Sequence, residues 1–183
     1  MLAIDLLLTR SSQPRLEAPA PSGDALNNII QAGLRAPDHK CLSPWRFVVC
    51  QGQGLIKLGQ IFEQAAKLNN EDEKVITRAP QLPLRAPMVI VGICEYKACD
   101  GVPRVEQIAS AACALSAMQM AAVAQGFQGI WRTGKYAQDQ YVKNAFDCAE
   151  QDEIMGFLYL GTSCLKTMQK PAKSQNGFVQ YWD

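Results

Sequence analysis

Four short runs of this 183-residue chain carry side chains suited to holding an anionic, polar ligand. Arg10-Ser11-Ser12, with Arg15 close behind, combines two guanidinium groups with two hydroxyls. A phosphate asks for that mixture, because guanidinium groups give charge-assisted hydrogen bonds and hydroxyls reach the remaining oxygens. The same letters also fit a plain helix end, where Arg10 complements the dipole and Ser11-Ser12 stops the helix. Arg35-Ala36-Pro37-Asp38-His39 and Pro44-Trp45-Arg46 bracket a proline-stiffened loop. His39 can donate a hydrogen bond and Arg35 can add positive charge. A loop histidine can also be simply solvated, and Pro44-Trp45 can equally well anchor a strand. Trp131-Arg132-Thr133-Gly134 offers an indole, a cation and a hydroxyl together. An amphipathic Trp and a capping Thr at a strand end would give the same run.

Other chemistries find less support. Gly129 to Tyr136 is one residue short of G-x-x-x-x-G-K-[ST], but Tyr136 is too long to hold magnesium and Ile130 and Trp131 crowd the phosphate loop. Gly52 and Gly54 are followed by Gly59, two positions late for a dinucleotide fingerprint. A hairpin-like turn explains them. His39 and Cys41 are too close in sequence to make a nucleophile pair without a third orienting group. His39 is the only histidine, so a multi-histidine metal centre is excluded. The seven cysteines, at 41, 50, 94, 99, 113, 148 and 164, form no C-x-x-C pair. Their number is odd, which speaks against a disulfide framework, and most are expected to be small core residues.

Composition narrows the class. The formal charge of +1 gives no bulk electrostatic case for nucleic acid or an anionic membrane. Asp5 interrupts the apolar start, and the expectation is a cytoplasmic protein without a secretory leader. One domain spanning residues 1–183 is long enough to bury a core.

The elements that must position these side chains follow from hydrophobic period. Residues 2–9 and 22–35 read as helices, the second with Leu26, Ile29, Ile30, Gly33 and Leu34 on one stripe and Ser22 or Asp24 as cap. Trp45 to Gln51 reads as a strand, and Leu55 to Ala65 as a helix. Residues 69–86 are polar and then proline-rich, and are expected to be irregular. Met88 to Cys94 is an apolar strand. The run from Pro103 to Gln125 is a long helix, apolar around most of its circumference and therefore buried in a core or an interface. Phe127 to Arg132 is a strand, 138–147 a short helix and Ile154 to Leu160 a strand. The apolar segment Phe178 to Trp182 follows a stretch without period and is expected to dock on a partner. One sheet with helices on its faces, α+β or α/β, accounts for this order.

Taken in order, the four runs resemble the scattered cofactor contacts of FMN-dependent NAD(P)H nitroreductases, closest to the short bacterial branch of that family. The resemblance extends over nearly the whole chain at matching spacing. It implies an α+β fold with a central, mainly antiparallel four-stranded sheet wrapped by helices, in an intertwined homodimer with two FMN sites at the interface. It implies FMN contacts at Arg10, Ser11, Ser12, Trp131, Arg132 and Thr133 of one subunit and at Arg35 and His39 of the other. It also implies an NAD(P)H contact along Ala121, Ala122, Val123, Ala124, Gln125 and Gly126. The family usually carries two arginines and a serine in the first run. Here Ser11 holds the middle place, so that contact becomes a hydroxyl or backbone one. The implied activity is hydride transfer from NAD(P)H to flavin, then electron transfer to a nitroaromatic, a quinone or another small electrophile by a ping-pong scheme. No side chain acts as a nucleophile, and none is assigned a catalytic role. The alternative within the same fold is a flavin-binding or flavin-delivery protein without NAD(P)H turnover.

Overall fold

β-Branched and apolar residues without an internal charge build the centre of the sheet: β2, Met88–Cys94, is buried at every position. A computed structural model of the chain describes residues 2–163 and 171–182. The other strands are β1 (Arg46–Gln51), β3 (Gln128–Arg132) and β4 (Glu153–Gly161). They lie in the order β1-β2-β4-β3, and every neighbouring pair is antiparallel. Both faces are covered, which is why β2 shows no apolar–polar alternation.

Seven helices surround the sheet among the described residues: α1 (Ala3–Thr9), α2 (Gly23–Gly33), α3 (Gln53–Leu68), α4 (Glu73–Arg78), α5 (Arg104–Ala124), α6 (Lys135–Gln138) and α7 (Gln140–Ala145). Alternate strand residues serve opposite faces. Met88, Ile90, Leu158 and Leu160 pack with Leu115 and Met118 of α5 and Ile29 of α2. Val89, Val91, Phe157 and Tyr159 pack with Leu58, Phe62 and Ala65 of α3. Each fully buried large side chain contributes about 1.5–3 kcal/mol. At Gly92 a Cβ would lie 2.7 Å from Leu115 Cδ1, so the missing side chain is what lets α5 settle onto β2.

Helix α5 is the one helix among the described residues long and apolar enough to cross a bilayer by length and composition. Its packing shows a different use. Ala114, Leu115, Met118 and Ala122 are buried against the sheet and α2. Its other side leaves Val105, Ala109, Cys113 and Ala124 exposed, so the expected all-round burial is not met within one chain.

Several local expectations change. The stretch 69–86, expected to be irregular, contains α4 and two short 3₁₀ turns, Ala79–Gln81 and Pro83–Arg85. Proline at the start of each turn costs no intrahelical bond there. The helix expected at 138–147 is two helices, because Asp139 is extended and caps the second, its carboxylate accepting from Val142 N at 3.0 Å. Gly52, with φ +50°, turns β1 into α3 rather than into a hairpin. Among the described cysteines only Cys50 and Cys94 are buried; Cys41 and Cys113 are exposed, Cys99 and Cys148 are half-buried, and Cys164 lies outside the described residues. Burial pushes the Cys94 thiol up to about 11, so it is inert at neutral pH.

Candidate functional site

The site grows from the end of β3, and a bulge in β4 shapes it. Gly92 pairs with Gly156 and Ile93 with Ile154, so Met155 is an extra residue in the ladder. Such a bulge twists the strand and re-aims its groups. The Met155 carbonyl turns to accept the Trp131 indole Nε1–H at 2.9 Å. Gly156, at φ +134°, makes room for that indole: a Cβ there would lie 2.5 Å from Trp131 Nε1 and 2.5 Å from the Arg132 carbonyl. Trp131 is thus fixed on the α5 face of the sheet, and Arg132, one residue on, is sent to the α3 face.

There Arg132 meets a cavity of about 420 Å³. Its walls are the rings of Phe62, Tyr136, Phe157 and Tyr159, with Leu82 and Ile130, and its rim is the run Trp131 to Gly134. Phe62 and Tyr136 stack with centroids 4.3 Å apart, and Phe157 meets Phe62 edge-on at 5.0 Å. Arg132 lies over the Tyr159 ring, 5.8 Å from its centroid. Its Nε is buried and has no hydrogen-bond partner. Arg85, from the 3₁₀ turn before β2, lines the same cavity. Burial, then Arg78 and Arg132, push its guanidinium below the usual arginine range. Burial raises the Tyr159 hydroxyl above the usual tyrosine value, against the pull of Arg132 and Arg85, so it stays a donor at neutral pH.

A second cavity of about 450 Å³ adjoins the first, sharing Arg85 and Arg132 and adding Pro14, Arg15, Leu16 and Leu84. The N-terminal segment reaches it because it is stitched to the sheet edge. Gln13 N donates to the Gly129 carbonyl at 3.1 Å, and Glu17 and Thr162 exchange backbone bonds at 2.9 and 2.8 Å. Gln119 of α5 donates to the same Gly129 carbonyl at 3.1 Å. Arg10 closes α1 as its C-cap, and Ser12 is exposed beyond it. Ser11 is only 5% exposed and its hydroxyl accepts from Gln13 Nε2 at 3.3 Å, so it points inward. Arg15 and the Trp131 to Thr133 run thus line adjoining cavities, and Arg10 and Ser12 stand on the segment that leads to Arg15.

Arg35 and His39 stand elsewhere. They follow α2, and His39 stands at the start of α5, where its Nδ1 lies 2.7 Å from Glu106 Oε2. The loop that carries them holds Lys40, Cys41 and Ser43 at φ of 60°, 52° and 49°. Four tethers keep that shape: His39 to Glu106, Ser43 N to the Asp38 carboxylate at 2.6 Å, Lys40 to the Asp100 carbonyl at 2.5 Å, and Lys97 to the Ser43 carbonyl at 3.1 Å. Ala121 to Gly126 form the opposite end of α5, beside the start of β3 rather than its cavity end. Ala122 and Val123 are buried, Gln125 binds the Ala25 carbonyl at 3.2 Å, and Ala124 and Gly126 are exposed.

Residues 7–162 match the model of the "Nitroreductase family". The chain belongs to the nitroreductase family. It is 50% identical over 166 residues to "Putative NAD(P)H nitroreductase YdjA" of Escherichia coli strain K12, covering 91% of each chain. The fold agrees with a nitroreductase-like family protein from Bacillus cereus at TM-score 0.84, 18% identity and coverage of 100% of this chain and 97% of the other. It also agrees with "a putative nitroreductase in complex with fmn" from Desulfovibrio desulfuricans, at TM-score 0.77, 17% identity and coverage of 100% and 98%. This nitroreductase is thus an α+β oxidoreductase of that family, with the antiparallel four-stranded sheet the resemblance implied. Sequence reading missed Arg85 and the aromatic walls. Arg85 sits in a stretch without period, Phe62 and Phe157 read as ordinary helix and strand residues, and Tyr136 reads only as a residue too long for a phosphate loop.

Proposed function

We propose that the nitroreductase binds FMN at the end of β3 and oxidises NAD(P)H to reduce a small electrophile. The observation that carries this is the buried, unpartnered Nε of Arg132 beside a cavity that Arg15 and Arg85 also line. A buried donor without an acceptor costs about 1–3 kcal/mol, and an anionic, acceptor-rich ligand relieves it. FMN, when bound, supplies hydride uptake from the nicotinamide and electron delivery to a nitroaromatic or quinone, in a ping-pong order. The chain's own residues bind and orient. Arg10, Arg15 and Ser12 hold the phosphate, and Ser11 contributes backbone because its hydroxyl is turned inward. The Trp131 to Thr133 strand end presents backbone to the ring, and the Arg132 guanidinium holds positive charge beside it. An NAD(P)H contact along Ala121 to Gly126 rests on family likeness alone, and Ala124 and Gly126 are the positions a ligand reaches there.

The working unit in this reading is a cytoplasmic homodimer. The exposed face of α5, the exposed Leu2, Ile4, Leu7 and Leu8 around α1, and Phe178, Tyr181 and Trp182 of the tail leave more apolar surface than one chain covers. Trp182 is 93% exposed. Arg35 and His39 of the partner subunit complete each flavin site. The test is titration of apoprotein with FMN. Arg10→Ala should weaken binding about ten- to hundredfold, the worth of a charge-assisted phosphate contact. Unchanged affinity returns Arg10 to helix capping. Anaerobic reduction of the bound flavin by NADH or NADPH then separates the enzyme from a flavin-delivery protein.

A further inference from the structure

We propose that Glu106 is a positioning residue: its carboxylate sets the tautomer of His39 and leaves the ring's Nε2 free to accept a hydrogen bond from a donor group of the cofactor. The proposal rests on the flavin reading above, in which His39 completes the flavin site of the partner subunit. A carboxylate only accepts, so the proton of the 2.7 Å His39–Glu106 bond belongs to Nδ1. A neutral imidazole carries one N–H, so Nε2 is then bare, its state set by the bond the other nitrogen makes. Histidine free in water prefers the opposite arrangement, with the proton on Nε2. Nε2 has no protein partner among the described residues, and the side chain is 51% exposed. FMN offers such an acceptor the N3–H of its ring and the hydroxyls of its ribityl chain.

The frame around the pair explains why Glu106 fills this role. It lies in the first turn of α5, where unpaired backbone N–H groups favour a carboxylate. The next residue anchors the helix start. Gln107 is 1% exposed, and its amide donates to the Lys97 carbonyl at 2.8 Å and accepts from Lys97 N at 2.9 Å. Lys97 reaches on to the Ser43 carbonyl, and Ser43 N donates to Asp38, next to His39, which closes a ring of contacts around the pair. The other charged groups of the loop are thereby committed: Asp38 to Ser43 N, Lys40 to the Asp100 carbonyl and Lys97 to the Ser43 carbonyl. Glu106 pairs with no lysine or arginine among the described residues, so no cation draws its carboxylate away from the ring.

His39 is the only histidine of the chain, so one set of ring-nitrogen signals reports it. The test is long-range proton–nitrogen correlation NMR of the flavin-free protein in alkaline buffer, where an imidazole is neutral, together with FMN titration. Wild type should show the Nδ1–H tautomer. Glu106→Gln keeps the shape, but its amide donates as well as accepts. The Nε2–H tautomer should then predominate, and FMN affinity should fall about three- to tenfold, one neutral hydrogen bond expressed as affinity. In a His39→Ala background, Glu106→Gln should change FMN affinity no further, because it acts through the ring. Both side chains are about half exposed, and matching thermal unfolding curves check that each variant keeps the fold. An Nε2–H ring in wild type, a Glu106→Gln variant that keeps tautomer and affinity, or a full additional loss in the His39→Ala protein overturns the proposal. The two readings fail separately. A protein that shows the Nδ1–H ring yet binds no FMN sinks the flavin reading, and with it the ligand of Nε2, while the tautomer assignment stands; a yellow, NAD(P)H-reducible protein with an Nε2–H ring does the reverse.

Discussion

Gly156→Ala should damage the site more than any other single methyl group added to the sheet. The new Cβ would stand 2.5 Å from the Arg132 carbonyl and 2.5 Å from the Trp131 indole nitrogen, and both belong to a rigid strand and ring. Overpacking of that kind costs about 1–3 kcal/mol. The backbone adds strain, because φ of +134° is a region that side chains avoid, at about 1–3 kcal/mol. Displacing the indole also breaks its bond to Met155, worth about 1 kcal/mol. Together these give roughly 5 kcal/mol, or a fall in Tm of about 10–20 °C for a chain of this length. Gly126→Ala is the control. Gly126 has φ +88° with nothing within 4 Å of its would-be Cβ, so it feels the backbone cost alone. Both variants are compared by thermal unfolding and by Trp fluorescence. If Gly156→Ala loses no more than Gly126→Ala, the bulge does not fix Trp131 by steric exclusion, and the account of how β3 aims Arg132 is wrong.

Three further outcomes are expected. Cys113→Glu places a charge on the exposed side of α5, where a lone chain tolerates it; light scattering should show dissociation of a dimer whose interface exceeds about 2,000 Å², and mixing Arg10→Ala with Arg35→Ala subunits should recover flavin binding toward half the wild-type level if each site needs two chains. Acid should loosen the α7–β4 corner: burial would raise the Glu153 carboxyl, but hydrogen bonds from Lys143 at 2.7 Å and Arg104 at 2.6 Å outweigh it and hold the group below its ordinary value. That stability is present above the unfolded carboxylate range and fades as pH falls through the folded value, so Glu153→Gln should flatten the acid limb of a Tm–pH profile, and an unchanged limb refutes the assignment.

The strands and α5 were legible because uninterrupted apolar runs such as Met88–Cys94 leave few alternatives. The family resemblance supplied the antiparallel order, which no local pattern encodes. Helix α4 escaped notice because its six residues, bounded by Asp72 and Ala79, show no apolar stripe. The inward turn of Ser11 depends on Gln13 and on the carbonyl of Gly129, more than a hundred residues away in the chain. Arg85 became visible only when the antiparallel sheet brought the start of β2 beside Tyr159 and Arg132. Long-range pairing of that kind leaves no mark on spacing.

The loop at Lys40, Cys41 and Ser43 carries strain of about 1 kcal/mol or more at each left-handed residue, held by its four tethers. Folding bears that burden before any ligand arrives. A flexible loop would instead surrender about 1–2 kcal/mol of backbone entropy for each residue it ordered on binding. Arg35 and His39 are therefore presented by a segment with little disorder left to lose, and whatever meets that edge keeps its contact energy as affinity.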